Sequence, residues 1–179
     1  MNKNIIVIYG SPRQNGNSDK LGQAFVKGAK SAQNSVAEFY IRDMNINGCI
    51  GCEYCYSNFG KCSQKDDMVL IHEQLFKADI IVFVLPIYYQ GFPAQLKAVV
   101  DRMFISENKP FSIQKAIMLA TYATPGVQMS KMTKKYFETL IKYHEWENAG
   151  CIFVSGLDEK DDILGHALLT TAFELGRSL

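Results

Sequence analysis

Five short apolar runs, separated by longer segments with helical spacing of apolar residues, constrain this chain more than any other feature. The run at residues 79–85, Asp-Ile-Ile-Val-Phe-Val-Leu, is apolar almost throughout, as expected for a strand that is buried on both faces. Strands that alternate with helices form a parallel sheet with helices on both sides. The pattern therefore predicts an α/β fold with 79–85 at or next to the centre of the sheet.

The predicted elements form five pairs of a strand and a helix. The strands are predicted at residues 4–9, 36–41, 79–85, 115–121 and 150–154. The helices are predicted at residues 18–32, 67–77, 93–104, 127–144 and 160–177. We expect the first helix to be capped by Asn17 or Ser18 and the second by Asp66 or Asp67, since these side chains accept hydrogen bonds from free amides. We expect one domain, 1–179, in which the long irregular stretch at 43–65 is functional.

Composition and charge exclude several classes of protein. Apolar residues make up 47% of the chain and charged residues 21%, which is typical of globular proteins and not of disordered ones. The 19 basic residues balance 18 acidic ones and form no stripe, so we expect no nucleic acid partner. No apolar run is long enough for a signal peptide core or a membrane span. We therefore expect a cytoplasmic protein with no membrane partner and with reduced cysteines.

The loop between the first strand and the first helix is rich in Gly, Ser and Asn, with the sequence Gly-Ser-Pro-Arg-Gln-Asn-Gly-Asn-Ser at residues 10–18. Free amides at the start of a helix and the positive end of its dipole favour an anion. Ser11, Asn17 and Ser18 add short donors, and Arg13 adds a positive charge. The loop lacks both the lysine of a Walker loop and the three glycines of a dinucleotide fingerprint. We interpret it as a phosphate-binding loop of another kind, with a simple polar turn as the alternative.

Two further loops follow the third and fourth predicted strands. The first, at residues 86–93, contains Tyr88 and Tyr89, which can cover a flat ring, and Gly91, beside which backbone groups can reach the polar edge of that ring. The second, at residues 121–126, faces the same crevice by topology. Ligands of doubly wound sheets bind where the carboxyl ends of such strands meet. The three loops therefore predict one ligand site, with packing of the tyrosines under the next helix as the alternative.

The Gly-Ser-Pro-Arg motif, together with the Pro-x-Tyr, Leu-Lys and Asp-Arg motifs between residues 86 and 102, resembles the NADPH-dependent FMN reductases and related flavodoxin-like flavoproteins. The resemblance covers most of the chain and implies a flavodoxin-like, doubly wound, five-stranded parallel sheet that binds FMN. It also implies NAD(P)H as electron donor and a homodimer or homotetramer whose subunits close the flavin site together. The residues implied to bind FMN are Ser11, Arg13, Asn15, Asn17, Ser18, Pro86, Ile87, Tyr88, Tyr89, Gly91, Thr121 and Ala123.

No side chain is predicted to be catalytic, because the flavin performs the chemistry while protein amides tune its potential. For three residues that match the family pattern we expect structural roles, at helix ends or at a subunit interface: Lys97, Asp101 and Arg102. For the histidines we expect surface positions or core packing, since none has partners at ligand spacing: His72, His144 and His166.

Four of the five cysteines lie close together, at Cys49, Cys52, Cys55 and Cys62, in the pattern C-x2-C-x2-C-x6-C. Three thiolates within seven residues followed by a fourth can hold an iron–sulfur cluster, whereas structural zinc more often uses two separated pairs. The spacing resembles the iron–sulfur flavoprotein branch of the family, in which a [4Fe–4S] cluster accompanies FMN. Free thiols in a loop beside the flavin stay the alternative, because flavin reductases that are not known to hold a cluster carry a similar loop.

The leading hypothesis is an FMN-dependent NAD(P)H oxidoreductase that passes electrons to a quinone, a free flavin, another small acceptor or an internal cluster. The alternative is a flavodoxin-like or iron–sulfur flavoprotein electron carrier that serves protein partners. The net charge of +1 favours the enzyme, because flavodoxin carriers are typically strongly acidic. A flavin-binding regulator has no specific support. The sequence distinguishes neither NADH from NADPH nor one acceptor from another.

Overall fold

A computed structural model describes residues 2–179 and contains a five-stranded parallel sheet. The strands are β1 (Asn4–Tyr9), β2 (Ser35–Tyr40), β3 (Ile80–Pro86), β4 (Lys115–Thr121) and β5 (Glu147–Val154). Their order in the sheet is β2-β1-β3-β4-β5, so β3 is central as the sequence predicts. This is the strand order of flavodoxin-like folds, whose ligands bind at the carboxyl ends of β1 and β3. The predicted fold class is confirmed.

Helices cover both faces of the sheet. They are α1 (Asn17–Ser31), α2 (Tyr54–Ser57), α3 (Met68–Leu75), α4 (Ala94–Arg102), α5 (Lys131–Tyr143) and α6 (Ala167–Arg177). The short helix α2 lies inside the predicted loop 43–65. The prediction that the last helix begins at residue 160 was wrong, because Asp161 and Gly165 have positive φ angles of 76° and 78° that interrupt a helix.

Two apolar cores lie on opposite faces of the sheet, because successive strand residues point to opposite sides. On one face, Ile6 and Phe83 belong to a buried cluster with residues of α3, α4 and α5. On the other face, Val7 and Val82 belong to a cluster with residues of α1 and α6. Each large apolar side chain that is fully buried contributes about 1.5–3 kcal/mol to the free energy of folding. β3 supplies residues to both clusters, which explains its nearly continuous apolar sequence.

Helices α1 and α6 touch backbone to backbone through two glycines. A Cβ atom on Gly28 would lie 1.9 Å from the carbonyl oxygen of Phe173, and one on Gly176 would lie 2.1 Å from that of Phe25. No side chain larger than hydrogen fits at either position. This close contact with α6 fixes the position of α1, and the amino terminus of α1 therefore lies at the edge of the sheet where β1 and β3 end.

The predicted helix caps are corrected in part. Gly16 is the N-cap of α1 and no side chain caps that helix, so the prediction of Asn17 or Ser18 was wrong; both side chains bond to other loops. At α3, Asp67 holds the N-cap position without a side-chain cap, whereas Asp66 Oδ1 accepts a 3.2 Å bond from Met68 N. Within residues 2–179, none of the helices combines the length and apolarity that a membrane crossing requires.

Candidate functional site

The loops after β1, β3 and β4 enclose a crevice of about 210 Å³ at the carboxyl edge of the sheet. Nine of the twelve residues predicted to bind FMN line it: Ser11, Arg13, Asn17, Ser18, Pro86, Ile87, Tyr88, Thr121 and Ala123. The other three, Asn15, Tyr89 and Gly91, lie in the same loops but do not line the crevice. The structure thus brings the three predicted loops together at one place.

Unpaired backbone donors concentrate at one end of the crevice, where α1 begins. The first hydrogen bond of the helix runs from Lys20 N to Gly16 O, at 3.1 Å, which leaves the amides of Asn17, Ser18 and Asp19 without an acceptor in the preceding turn. No side chain caps this end of the helix. The donors and the helix dipole therefore fit a phosphate group.

Two predicted phosphate ligands use their hydroxyl groups to hold the loop itself. Ser11 Oγ accepts a 3.1 Å bond from Arg13 N and donates a 3.2 Å bond to Arg13 O, which closes a small turn. Ser18 Oγ lies 2.8 Å from Thr121 Oγ1 in a buried contact that joins the start of α1 to the end of β4. The backbone amides are therefore better placed than these hydroxyls to bind an anion.

The side chain of Asn17 joins the crevice to the loop after β5. Its Nδ2 donates a 2.8 Å bond to Glu159 O, and its Oδ1 accepts a 3.4 Å bond from Ile163 N. The loop after β5 also contributes Leu157 and Asp158 to the lining of the crevice, and neither was predicted from the sequence. Their position directly after the last parallel strand was the available signal, because all parallel strands end at the same edge.

An ion pair between the partly exposed Arg42 and the buried Asp19 holds the phosphate loop in place. Arg42 Nη1 donates to Asp19 Oδ2 at 2.9 Å, to Arg13 O at 3.1 Å and to Ser11 O at 3.4 Å. Asp19 Oδ2 also accepts a 2.9 Å bond from Asn15 N. Burial raises the pKa of Asp19, and the neighbouring Arg42 guanidinium opposes that rise. Nothing in the spacing of these residues along the chain predicts the pair, since it joins α1 to the turn after β2.

The loop after β3 forms a tight turn that exposes an aromatic ring. Tyr88 and Gly91 exchange backbone hydrogen bonds of 3.1 and 3.0 Å around Tyr89 and Gln90, whose φ angles are 48° and 66°. Positive φ angles at two non-glycine residues are unfavourable and often accompany functional sites. Thr133 Oγ1 donates a 2.9 Å bond to Gln90 O and holds the turn. The Tyr89 side chain is fully exposed beside the crevice.

All four clustered cysteines line a second, smaller cavity of about 50 Å³ beside α4. The pKa of Cys55 is raised by burial, whereas the pKa of Cys52 is lowered by a hydrogen bond from Ser63, 3.2 Å away. Among residues 2–179, no three Cys, His, Asp or Glu side chains are arranged to hold a single metal ion. A cubic cluster spreads its cysteine ligands more widely than one ion does, so a cavity lined by four thiols fits the donor set of such a cluster.

Arg102, at the end of α4, connects that cavity to the body of the protein. Its buried guanidinium donates from Nη1 to Asp66 Oδ2 at 2.5 Å and to Asn47 O at 3.2 Å, and from Nη2 to Cys62 Sγ at 3.4 Å. Burial alone would raise the pKa of Asp66, but hydrogen bonds from Arg102 and Asn47 outweigh it and hold that pKa at about 2. The contacts agree with the structural role expected for Arg102.

The histidines lie apart from the crevice. His72 Nε2 is 3.1 Å from the carbonyl oxygen of Arg102, and since a carbonyl only accepts, this nitrogen carries the proton. His144 stacks on Trp146, with ring centroids 4.4 Å apart. His166 Nδ1 accepts a bond from Leu168 N at the start of α6. The expected packing and surface roles fit these contacts.

The strand order and the crevice at its switch point define a flavodoxin-like α/β protein. Within that class, the model of the NADPH-dependent FMN reductase family matches residues 3–149. The chain belongs to this family, and the family assignment suggested by its motifs is confirmed.

Curated relatives carry the name iron-sulfur flavoprotein. One from Archaeoglobus fulgidus is 34% identical over 103 residues, covering 58% of this chain and 46% of that protein, so the match spans about half the relative's length. Another from Methanosarcina thermophila is 29% identical over 152 residues, covering 85% of this chain and 76% of that protein. The NAD(P)H:quinone oxidoreductase from Methanothermobacter marburgensis has the same fold, with a TM-score of 0.81 over 99% of this chain and 96% of that one at 18% identity.

Proposed function

We propose that this protein is an FMN-dependent NAD(P)H oxidoreductase. The observation that carries the proposal is the crevice where a loop of free helix amides, an aromatic turn and a third loop meet. The residues of this crevice would hold FMN, which would supply the hydride and electron-transfer chemistry between NAD(P)H and an acceptor. The family assignment supports this chemistry, and the geometry suggests how the protein's own groups divide the work.

The start of α1 would bind the phosphate of FMN. The amides of Asn17, Ser18 and Asp19 supply directed donors, and Arg13, which is exposed at the crevice, supplies a positive charge. Charge-assisted hydrogen bonds of this kind contribute about 1.5–3 kcal/mol each. Arg42 neutralises the buried Asp19 carboxylate, which would otherwise repel the phosphate.

The other two loops would orient the isoalloxazine ring. Pro86, Ile87 and Tyr88 line the crevice next to Thr121 and Ala123, and Ile87 N donates a 2.8 Å bond to Thr121 O. Backbone amides of the loop after β4 would meet the pyrimidine edge, where negative charge develops when the flavin is reduced. Tyr89 would cover the ring face that the crevice leaves open.

We further propose that Cys49, Cys52, Cys55 and Cys62 hold a [4Fe–4S] cluster. Support comes from the shared cavity lined by the four thiols and from the names of the curated relatives. Such a cluster supplies a one-electron exit for electrons that arrive as hydride. The family also includes chains named for flavin reduction alone, so free thiols are the competing arrangement.

Exposed apolar side chains in the turn after β3 and near the start of α5 support a homodimer or homotetramer. Tyr89, Val127 and Met132 are 104%, 69% and 62% exposed, respectively. Apolar residues that cluster beside a ligand site are typical of a protein interface. A second subunit would cover them and close the flavin site. Sedimentation of the FMN-loaded protein as a monomer over a wide concentration range would contradict this part of the proposal.

One experiment tests flavin, cluster and activity together. The protein is purified without oxygen, and its visible spectrum, iron and sulfide content, and rates of NADH and NADPH oxidation are measured with and without a quinone. We expect stoichiometric FMN, iron and sulfide in cluster proportion, and rapid flavin reduction by one of the two nucleotides. Protein that contains FMN but is not reduced by either nucleotide would favour the electron-carrier alternative.

A further inference from the structure

Helix α4 spans the distance between the two candidate redox sites. Its first residue, Ala94, follows directly after the aromatic turn at the flavin crevice. Its last residue, Arg102, lines the cavity of the four cysteines. One helix thus connects the turn beside the flavin crevice to Arg102 at the cysteine cavity.

The guanidinium of Arg102 donates from one nitrogen to Asp66 and Asn47 and from the other to Cys62. One edge meets the Asp66 carboxylate at 2.5 Å, and the other edge reaches Cys62 Sγ at 3.4 Å. Asp66 is itself shared, because the same Oδ2 also accepts a 2.9 Å bond from Asn47 N. Both members of the ion pair are almost fully buried, with side-chain exposures of 1% and 3%. Electrostatic interactions at such a site are only weakly screened by solvent and salt.

The other charged residues that line the cavity are acidic and cannot replace the contact between Arg102 and Cys62. Asp101 and Glu53 also line the cavity, and Asp101 is paired with Lys97 on the outer face of α4. Both carboxylates would disfavour additional negative charge on the sulfur ligands. Arg102 is the cation among the cavity's lining residues within the described chain.

We propose that Arg102 positions Cys62 and tunes the reduction potential of the cluster held by the cysteine loop. This inference rests on the proposed function. Reduction of a cluster held by Cys49, Cys52, Cys55 and Cys62 would add one unit of negative charge beside Arg102, with reduced FMN as the electron source, and no bond would form or break. A buried positive charge that donates to a ligand sulfur stabilises this reduced state and so raises the potential. Arg102 therefore favours electron flow from flavin to cluster.

The test uses Arg102→Lys in the full chain, loaded with FMN and reconstituted with iron and sulfide. A lysine keeps the positive charge that pairs with Asp66, but it lacks the second nitrogen with which Arg102 reaches Cys62. We expect the reduction equilibrium of the cluster to fall about tenfold or more, which corresponds to a midpoint potential about 59 mV lower for a one-electron couple. The FMN potential in the same titration should stay unchanged. Arg177→Lys is the matched control, since Arg177 pairs with Glu174 on α6 at the opposite face of the sheet.

A second variant keeps the tuning role testable if Arg102→Lys does not fold. Asp66→Asn combined with Arg102→Gln removes both charges without leaving a buried ion unpaired, and because the cation beside Cys62 is lost, it should lower the cluster potential further. Equal cluster potentials in wild type and in either folded variant would overturn the role of Arg102 while leaving the cluster itself intact. Wild-type protein that takes up no iron and sulfide would overturn the cluster proposal and this inference together. If neither variant binds FMN or folds, Arg102 is a structural residue only and the tuning role is rejected.

Discussion

The phosphate loop at residues 10–18 and the cysteine loop at 48–63 follow neighbouring strands, and each accepts hydrogen bonds from an arginine. Arg42 donates to carbonyl oxygens of the first loop, and Arg102 donates to the carbonyl oxygen of Asn47 at the start of the second. The arginines are neutralised by Asp19 and Asp66, respectively. The two loops thus share one way of being anchored.

Apart from the arginine contacts, the two loops differ in how far their side chains are buried and hydrogen-bonded. Ser11, Ser18 and Asp19 are buried, and their side chains bond within the loop or to its neighbours. In the cysteine loop, Cys49 and Cys52 are exposed. We therefore expect the first loop to be organised before its ligand binds, and the proposed cluster to add order to the second, as in proteins where metal binding is coupled to folding.

The largest expected effect concerns ligand-dependent order in the cysteine loop. Cys52→Ala should abolish uptake of iron and sulfide, because the cluster loses one of its four ligands. FMN affinity should change less than about twofold, since the phosphate loop has its own anchor. Trypsin cleavage at Lys61 and Lys65, both exposed, should slow when wild-type protein is reconstituted but not when FMN alone is added.

Cys151→Ala is the matched control, since Cys151 lies in β5 away from the cavity. It should bind iron like the wild type. Full iron uptake by Cys52→Ala, or trypsin resistance induced by FMN alone, would contradict the comparison.

Acid should weaken the anchor of the cysteine loop before that of the phosphate loop. Burial lowers the pKa of His72 to about 4, so the unfolded chain binds a proton between pH 6.5 and 4 that the folded chain does not. Folding stability therefore falls as the pH falls through this window, by about 3 kcal/mol in total. Asp66, with a pKa of about 2, loses its contribution of about 2 kcal/mol as the pH falls from 3.8 to 2. The raised pKa of Asp19 has the opposite sign, since its protonation removes a buried charge.

Urea unfolding between pH 7 and 4.5 measures this effect. His72→Gln keeps a donor for the Arg102 carbonyl but cannot be protonated, so it should lose less stability on acidification than the wild type. Amide exchange should report lost protection around α3 at a higher pH than around α1. Parallel pH profiles for wild type and His72→Gln would refute the assignment.

The sequence predicts the sheet and the three loops well because both depend on local pattern. Apolar runs identify the strands, and the position of a loop after a parallel strand places it at the crevice. Asn17 and Ser18 lie where predicted, yet their side chains bond to Glu159 and Thr121, and the helix amides are left as donors. Sequence shows which polar groups are present but not which of them the folded protein has already paired.

Local sequence pattern could not predict the two ion pairs that anchor the loops. Asp19 and Arg42 are 23 residues apart, and Asp66 and Arg102 are 36 apart. Each joins a loop to an element whose position depends on the assembled sheet. The expected single domain, cytoplasmic location and individual FMN ligands stay predictions.

A smaller effect is expected from the anchor of the phosphate loop. Arg42→Met leaves Asp19 buried without its partner and frees the carbonyl groups of Ser11 and Arg13. FMN affinity should fall about tenfold to a hundredfold, the equivalent of one charged hydrogen bond at about 1.5–3 kcal/mol. Riboflavin affinity should change little, because riboflavin has no phosphate.

Arg42→Lys should recover part of the lost FMN affinity, and Asp19→Asn in the Arg42→Met background should recover part by removing the unpaired carboxylate. Calorimetric titration of apoprotein with both flavins gives the ratio of affinities. An equal loss for FMN and riboflavin would show that Arg42 supports the fold in general and not the phosphate loop.

The smallest effect should come from the hydroxyl pair of Ser18 and Thr121. These groups are buried and 2.8 Å apart, so Ser18→Ala leaves the Thr121 hydroxyl without its partner and should cost about 1 kcal/mol of unfolding free energy. Thr121→Ser keeps the hydroxyl and should cost less. In the cysteine loop, Ser63→Ala removes an exposed contact to Cys52 and should have no measurable effect on stability, since water replaces it.

A double-mutant cycle makes this last comparison decisive. Removing both hydroxyls with Ser18→Ala and Thr121→Val should cost less than the sum of the single changes, because no buried polar group is then left unpaired. Additive costs would mean that the hydroxyls do not depend on each other. The order of the phosphate loop without ligand would then depend on its other hydrogen bonds, those of Arg42, Ser11 and Asn17.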